Sequence, residues 1–236
     1  AAIHSSNAPW IANPARRLVR ALDLFGDAGT GRIGGIALDE EARALVAGLA
    51  AGFDPAAELR FRKTSRYALD GDAQALLGHV LSTASVTISS LATDPPAGDA
   101  VIPSSARAGF DLRCPPPLDP AVFLAQYRET LRREKLEGVT VDVADSYPGH
   151  RFGSDAPGVR ALVEAYRATS REPQVWPWAI GAAPAYAFSR HAPSFLIGGA
   201  GRGGNAHGVN EFLTLEGFGR FLRSVEFWLD AMAVSA

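Results

Sequence analysis

Apolar and polar residues follow the period of an α-helix in several separate segments of the chain. The first begins at Asn13, whose side chain can cap a helix, and Pro14, which suits the first helical position. Its apolar residues share one face and Gly26 follows them, so the pattern predicts an amphipathic helix. By the same criteria further helices are predicted at 37–51, at 70–83, from Asp119 and Pro120 onward, at 155–169, briefly after Pro184, and after Thr214.

The last of these helices carries the clearest apolar stripe. Thr214 can cap its first turn, and the residues that follow at helical spacing are predicted to be buried. These residues are Phe218, Phe221, Leu222, Val225 and Leu229.

Extended segments occupy much of the remaining first half of the chain. Alternating residues at 85–89, 101–113 and 139–143 predict strands, and Ile3-His4 has the character of a strand end. The segments 29–35 and 94–99 are rich in turn residues and are expected to be loops. The order strand, helix, strand, strand, helix, strand is that of a ferredoxin-like α+β sandwich, with extra helices inserted after its first helix.

The character of the chain changes after Tyr147. Helices then alternate with short, apolar segments, including a predicted strand at 194–197, which is typical of an α/β layer covered on both faces. We therefore expect two domains, at 1–147 and 148–236, with a helical insertion in the first at about 28–81.

Composition narrows the class of protein. The 236 residues carry a net charge of −2, nearly half are apolar, and no apolar run is long enough to span a membrane. Basic residues form only isolated pairs, so neither nucleic acid nor membrane is an expected partner. The single cysteine, Cys114, excludes an intrachain disulfide framework and is consistent with a reducing cytoplasm. We expect a soluble, cytoplasmic, globular protein.

One glycine-rich loop contains the strongest candidate for chemistry. It runs from Gly203 to Phe212 and includes His207 between small residues, followed by Asn210 and Glu211. Glycines allow a tight backbone, and a neutral imidazole is a common metal ligand or proton carrier. A solvated turn has the same pattern, and one histidine alone binds zinc weakly, because zinc sites normally use at least three protein ligands.

The segments 194–199 and Ala206–Glu211 resemble the C-terminal metal-ligand signature of the co-catalytic zinc metallopeptidases. This superfamily includes glutamate carboxypeptidase, aminoacylase, carnosinase-like dipeptidases, acetylornithine deacetylase and succinyl-diaminopimelate desuccinylase. The resemblance implies a site for two zinc ions, or for manganese or cobalt, with His207 as one ligand. It also implies that Asn210 and Glu211 orient the His207 loop.

Upstream segments are similar to the same superfamily in the same order. Ile3-His4-Ser5-Ser6, followed by Asn13-Pro14, resembles the start of its lid (dimerisation) domain, where the histidine reaches the partner subunit and stabilises the oxyanion. The residues 101–113 resemble paired lid strands whose terminal arginine, here Arg113, grips the substrate carboxylate bidentately. A salt bridge at the strand end is the alternative for Arg113. Gly181 begins a turn that resembles a substrate-binding turn of the dipeptidase branch, with alanines at 182 and 183.

The other metal ligands and the catalytic glutamate of the superfamily lie upstream of the lid and have no counterpart here. Glu40 and Glu41 open a predicted helix and point to different faces, so we expect a solvated first turn rather than a catalytic pair. The chain also begins at Ala1, as a trimmed or processed chain would. Alone it is expected to be inactive, with an upstream catalytic polypeptide as a possible partner covering its apolar faces.

The sequence therefore predicts the lid and the C-terminal catalytic portion of a zinc-dependent metallopeptidase or amidohydrolase. The whole enzyme would hydrolyse a peptide or an N-acyl amino acid by metal-activated water, as a homodimer formed through the lid. Two alternatives remain: a non-catalytic homodimer, suggested by the missing ligands, and a small-molecule-binding module, suggested by fold analogy alone.

Overall fold

The structure is a computed structural model that describes residues 3–95, 100–169, 172–188, 191–192, 201 and 203–234. The strand predicted at 194–197 and most of the loop predicted at 94–99 lie outside these residues. The strands are β1 (Ile3–His4), β2 (Arg32–Gly35), β3 (Thr83–Asp94), β4 (Val101–Ile102), β5 (Ser105–Arg113), β6 (Gly203–Gly204) and β7 (Phe212–Leu213). The helices are α1 (Pro14–Asp23), α2 (Glu40–Ala51), α3 (Pro55–Phe61), α4 (Ala73–Ser82), α5 (Pro120–Arg133), α6 (Pro157–Ala168) and α7 (Leu215–Val234).

The first half of the chain is built on an antiparallel sheet in the order β2-β3-β5, and β1 pairs separately with β4. The long β3–β5 hairpin places Arg113, the last residue of β5, opposite Ser85. The mixed α+β class expected from the sequence is confirmed. Capping by Asn13 and Asp119 also starts α1 and α5 as predicted.

Helix α3 was not predicted from the sequence, although Asp54 caps it and Pro55 occupies its first position. Two further segments differ from the sequence-based expectation. The loop predicted at 29–35 contains strand β2, which follows Gly31, a residue at φ +70° whose added Cβ would lie 2.2 Å from the Val86 carbonyl oxygen. The strand predicted at 139–143 is not formed, although Val139 and Val141 still pack against the core beside the sheet. Apolar packing there does not need a ladder of backbone hydrogen bonds.

One core joins α1 and α5 to the sheet. The rings of Phe25 and Tyr127 stack with centroids 4.0 Å apart, and Phe110 from β5 meets Phe25 edge-on at 5.2 Å. The buried Tyr127 hydroxyl donates a hydrogen bond to the Ala21 carbonyl at 2.7 Å, which satisfies it without water. This core fixes the position of β5 and therefore of Arg113.

A second core lies in the helical insertion between α2 and α4. Its buried residues are Ala42, Val46, Leu49, Leu77, Leu81 and Trp178. Trp178 comes from the second half of the chain, so the insertion also holds the segment that precedes Gly181. The cavity described below depends on that contact.

The helices α6 and α7 pack closely against each other. Ser224 of α7 is fully buried, and its hydroxyl lies 3.0 Å from the hydroxyl of Thr169. The Thr214 hydroxyl accepts a hydrogen bond from the Gly217 amide at 3.2 Å, as predicted for a cap.

The predicted apolar stripe of α7 is only partly buried. Phe221 and Val225 are half-buried, whereas Phe218, Leu222 and Leu229 are exposed, because the face against α6 is centred on the small Ser224. Small residues let two helices approach closely, and the stripe beside them is left facing outward. Within the described residues, none of the helices has the length and apolar character needed to cross a membrane.

Candidate functional site

A cavity of about 840 Å³ lies where the two halves of the chain meet. Its walls are the end of β5 with the proline-rich turn that follows, the segment 142–150, and the segment 178–186. Arg113 and Gly181, both expected to contact substrate, line this same cavity. Residues far apart in sequence are thus brought to one concave surface, the usual form of a small-molecule site.

Arg113 reaches the cavity from the end of β5. Its Nη2 lies 3.7 Å from Oδ2 of Asp111, two residues earlier on the same face of the strand, and its side chain is 47% exposed. The strand-end salt bridge considered as the alternative is therefore present. Such an exposed, single-contact pair contributes little to stability and leaves most of the guanidinium donors available to a ligand.

Gly181 belongs to the segment 178–186 of the cavity wall. An added Cβ at Gly181 would meet no atom within 4 Å, so packing does not require glycine there. The neighbouring Ala182 and Ala183 also line the cavity. This wall carries no side-chain hydrogen-bond donor at these three positions.

The sequence did not single out the aromatic part of the cavity. Tyr147 and Tyr186 both line it, and their rings stack with centroids 5.7 Å apart and an interplanar angle of 30°. A hydrogen bond with the Asp145 carboxylate and the charge of that carboxylate raise the pKa of Tyr147. His150, expected to be an ordinary loop residue, also lines the cavity.

An ion-pair network supports the cavity from behind. The Arg151 guanidinium contacts the carboxylates of Asp39 and Glu41 and lies over the Trp178 ring, 5.3 Å from its centroid. The second oxygen of Glu41 accepts hydrogen bonds from the amide and hydroxyl of Ser154. These bonds, with Arg151, lower the pKa of Glu41.

Glu40 is exposed as expected for a solvated first turn, whereas Glu41 is only partly exposed and is paired with residues more than a hundred positions away. No local sequence pattern predicts Arg151 as the partner of Glu41, since the ion pair forms only after the two halves of the chain meet. Asp39 has its pKa lowered mainly by the hydrogen bond from the same arginine.

The His207 loop is a tight hairpin between β6 and β7. Gly203 and Gly204 pair with Leu213 and Phe212, and an added Cβ on Gly203 would lie 2.5 Å from the Phe212 carbonyl oxygen. Both glycines are thus needed for close approach of the two strands.

Three residues of this loop adopt the left-handed conformation that favours glycine. Asn205, His207 and Asn210 have φ values of +58°, +62° and +60°. The Asn205 carbonyl accepts from the Gly208 amide at 2.7 Å, and its side-chain amide donates to the Asn210 carbonyl at 3.1 Å. Residues in this conformation cluster at functional sites, and His207 is exposed on the loop.

The remaining expected site residues lie outside the lining of the cavity. His4, in β1, is exposed, and its Nδ1 accepts a hydrogen bond from the Ser6 amide at 3.2 Å. Glu211 is exposed beside β7. Across the described ranges, no three His, Cys, Asp or Glu side chains come together to hold a metal.

Comparison with known proteins identifies the fold. No protein-family model matches the sequence, and no curated protein matches it. Three solved structures resemble the chain over nearly its whole length. They are the M20 family metallo-carboxypeptidase Sso-CP2 from Sulfolobus solfataricus (TM-score 0.81, 23% identity, 97% of this chain), the di-peptidase Dug1p from Saccharomyces cerevisiae (0.81, 19%, 98%) and human carnosine dipeptidase 1 (0.76, 19%, 98%).

The chain spans about half the length of these proteins, namely 54%, 51% and 52% of each. At these identities the likeness concerns the fold, and it confirms at that level the resemblance derived from the sequence motifs. In fold, this chain corresponds to about half of an M20-type metallopeptidase.

Proposed function

We propose that this chain is the substrate-binding portion of a zinc-dependent amidohydrolase that acts on peptides or N-acyl amino acids. The observation that carries the proposal is the shared cavity of Arg113 and Gly181. In this assignment residues 1–147 form the lid and 148–236 form the C-terminal part of the catalytic domain. The fold shared with three peptidases supports a hydrolase.

Each expected site residue has a role in this proposal. Arg113 binds the substrate carboxylate with two charge-assisted hydrogen bonds, and Gly181 leaves room for the substrate at the cavity wall. His207 contributes one metal ligand on a rigid loop, which Asn210 and Glu211 orient. His4 acts in the partner subunit of a homodimer, where it stabilises the oxyanion.

The metal centre is completed by residues other than those described. A single exposed histidine is far from the three or four ligands that zinc requires, so no catalytic step is assigned to this chain alone. One observation supports further polypeptide packed against this part of the fold: an apolar face of α7 is exposed. That face consists of Leu215, Phe218, Leu222 and Leu229.

Binding of a simple ligand tests the proposal. N-acetylalanine carries the carboxylate and amide of the proposed substrate class, and its dissociation constant can be measured by NMR titration of the purified chain. We expect Arg113→Lys to weaken binding about fivefold, because a lysine cannot bind a carboxylate bidentately. Arg107→Lys, an exposed arginine on the same strand but outside the cavity lining, serves as the matched control.

Two results would count against the assignment. Equal affinity of the wild type and Arg113→Lys for N-acetylalanine would remove Arg113 from substrate binding. No saturable binding of N-acetylalanine at all would contradict the substrate class.

A further inference from the structure

The two stacked tyrosines occupy a position in the cavity where they can select a ligand. We propose that Tyr147 and Tyr186 form a platform for an aromatic side chain, so that the preferred ligands are N-acyl aromatic amino acids and peptides with a C-terminal aromatic residue. This inference rests on the proposed function, because it takes the ligand carboxylate to be held by Arg113. It adds the side-chain preference, which the fold does not set.

The geometry of the pair suits a third aromatic ring. The centroids are 5.7 Å apart with an interplanar angle of 30°, and Tyr147 is 38% exposed, so part of Tyr147 is accessible to a ligand. Aromatic rings favour offset-stacked and edge-on partners at such distances. A ligand ring that enters the cavity can therefore extend the stack.

The two rings come from different segments and restrict each other. Tyr186 lies in the short 3₁₀ helix Pro184–Phe188, and Tyr147 stacks on it from the segment after α5. A pair of rings that is already in contact before the ligand arrives loses less conformational entropy on binding.

The wall beside the tyrosines is apolar and composed of small residues. Ile180, Ala182, Ala183 and Ala185 line it, and none offers a side-chain hydrogen-bond donor. A polar ligand side chain would lose its water there without finding a partner, which costs free energy. An aromatic side chain avoids this cost and buries apolar surface instead.

Three carboxylates also line the cavity, and carboxylates attract a cationic side chain of a ligand. Asp111 is paired with Arg113, and Asp145 is engaged by the Tyr147 hydroxyl. Asp142 is exposed, so water and salt screen its charge. The carboxylates favour a cationic ligand side chain, whereas the tyrosine pair and the apolar wall favour an aromatic one, so N-acetylarginine is included among the test ligands.

The test compares three N-acetyl amino acids that differ only in their side chains. Dissociation constants of N-acetylphenylalanine, N-acetylalanine and N-acetylarginine are measured by NMR titration of the wild-type chain. We expect N-acetylphenylalanine to bind about tenfold more tightly than the other two. Its ring protons should also move upfield on binding, a ring-current effect that a purely structural role of the tyrosines would not produce.

Substitution of each tyrosine tests whether that ring produces the preference for an aromatic ligand. Tyr147→Leu and Tyr186→Leu should each reduce the ratio of the N-acetylalanine to the N-acetylphenylalanine dissociation constant from about tenfold to about two- or threefold. Phe227→Leu, which removes an exposed ring from α7 outside the cavity lining, should leave both affinities unchanged. If a leucine variant does not fold, Tyr147→Phe keeps the ring and should keep the preference.

The outcomes separate this inference from the proposed function. Equal binding of N-acetylphenylalanine and N-acetylalanine overturns the aromatic preference and leaves Arg113 as the carboxylate site. Tighter binding of N-acetylarginine overturns it and indicates that the carboxylates of the cavity select a cationic side chain. Failure of all three ligands to bind overturns both.

Discussion

Nη2 of Arg151 lies 2.6 Å from Oε2 of Glu41, a contact between residues 110 positions apart. The same guanidinium covers the Trp178 ring. The first turn of α2 is therefore tied both to the segment that leads into α6 and to the wall of the cavity that continues to Gly181. This ion pair is a polar connection between the helical insertion and the candidate site.

Removing the arginine tests that connection. Arg151→Met should lower the free energy of unfolding by about 1–2 kcal/mol, because Glu41 loses a charged partner in a half-buried setting. The methionine retains apolar contact with Trp178, so the loss reports mainly on the ion pair. Urea unfolding followed by circular dichroism measures it.

Arg167→Met is the matched control for that experiment. Arg167 also pairs with two carboxylates, those of Glu164 and Glu172, but at the exposed surface. Water screens such pairs, so the unfolding midpoint should not move. A similar loss in both variants would mean that the Arg151 network is worth no more than surface pairs.

Acid sensitivity should depend on Glu41. The hydrogen bonds from Ser154 and the charge of Arg151 lower its pKa from the ordinary value of 4.5, so the folded protein prefers the carboxylate. This contribution is fully present above the ordinary pKa and is lost as the pH falls through the lowered value. Between pH 7 and about pH 3, Glu41→Gln should therefore lose less stability than the wild type.

The neighbouring Glu40 provides the control for that titration. Glu40→Gln removes a carboxylate from the same turn but outside the Arg151 contacts, so its acid-induced loss of stability should match that of the wild type. Identical pH profiles for Glu41→Gln and the wild type would show that Glu41 is solvated after all.

Asp111 competes with a ligand for Arg113. Asp111→Asn should tighten N-acetylalanine binding on the order of threefold, because a negative charge 3.7 Å from the guanidinium is removed. Asp142→Asn removes a charge from the same cavity without touching Arg113 and should have a smaller effect. Equal gains in the two variants would indicate a general charge effect and no competition at Arg113.

The contact of α6 with α7 depends on the size of residue 224. Ser224 is fully buried and donates to the Arg220 carbonyl at 2.9 Å, so Ser224→Ala should cost about 1 kcal/mol of unfolding free energy. Ser224→Leu should cost about 2–3 kcal/mol, because a branched side chain does not fit there. Thermal unfolding compares both with Glu226→Leu, an exposed substitution on α7 that should be nearly neutral. Tolerance of leucine at 224 would mean that the helices do not pack as described.

Local rules predicted the helices well. Asn13 and Asp119 cap α1 and α5, and Thr214 caps α7, because these interactions involve only residues two or three positions apart. Such short-range rules did not predict β2, whose residues pair with β3. They also predicted a strand at 139–143, where Val139 and Val141 pack against the core without pairing in a sheet.

The site was predictable only in part, for the same reason. Resemblance of motifs indicated Arg113 and Gly181, which the structure brings to one cavity. The partners of Glu41 and the stacking of Tyr147 on Tyr186 are long-range choices without a local signal. The roles of His4, His207, Asn210 and Glu211 remain predictions.

The zinc content of the chain tests the central claim most directly. The isolated chain, dialysed against about 1 µM free zinc, is expected to retain none, because His207 alone is too weak a site. In a complex with the companion polypeptide we expect two zinc ions per chain, with binding impaired by His207→Ala. Two zinc ions in the isolated chain, together with hydrolysis of an N-acetyl amino acid, would contradict the claim that it carries only part of the metal centre.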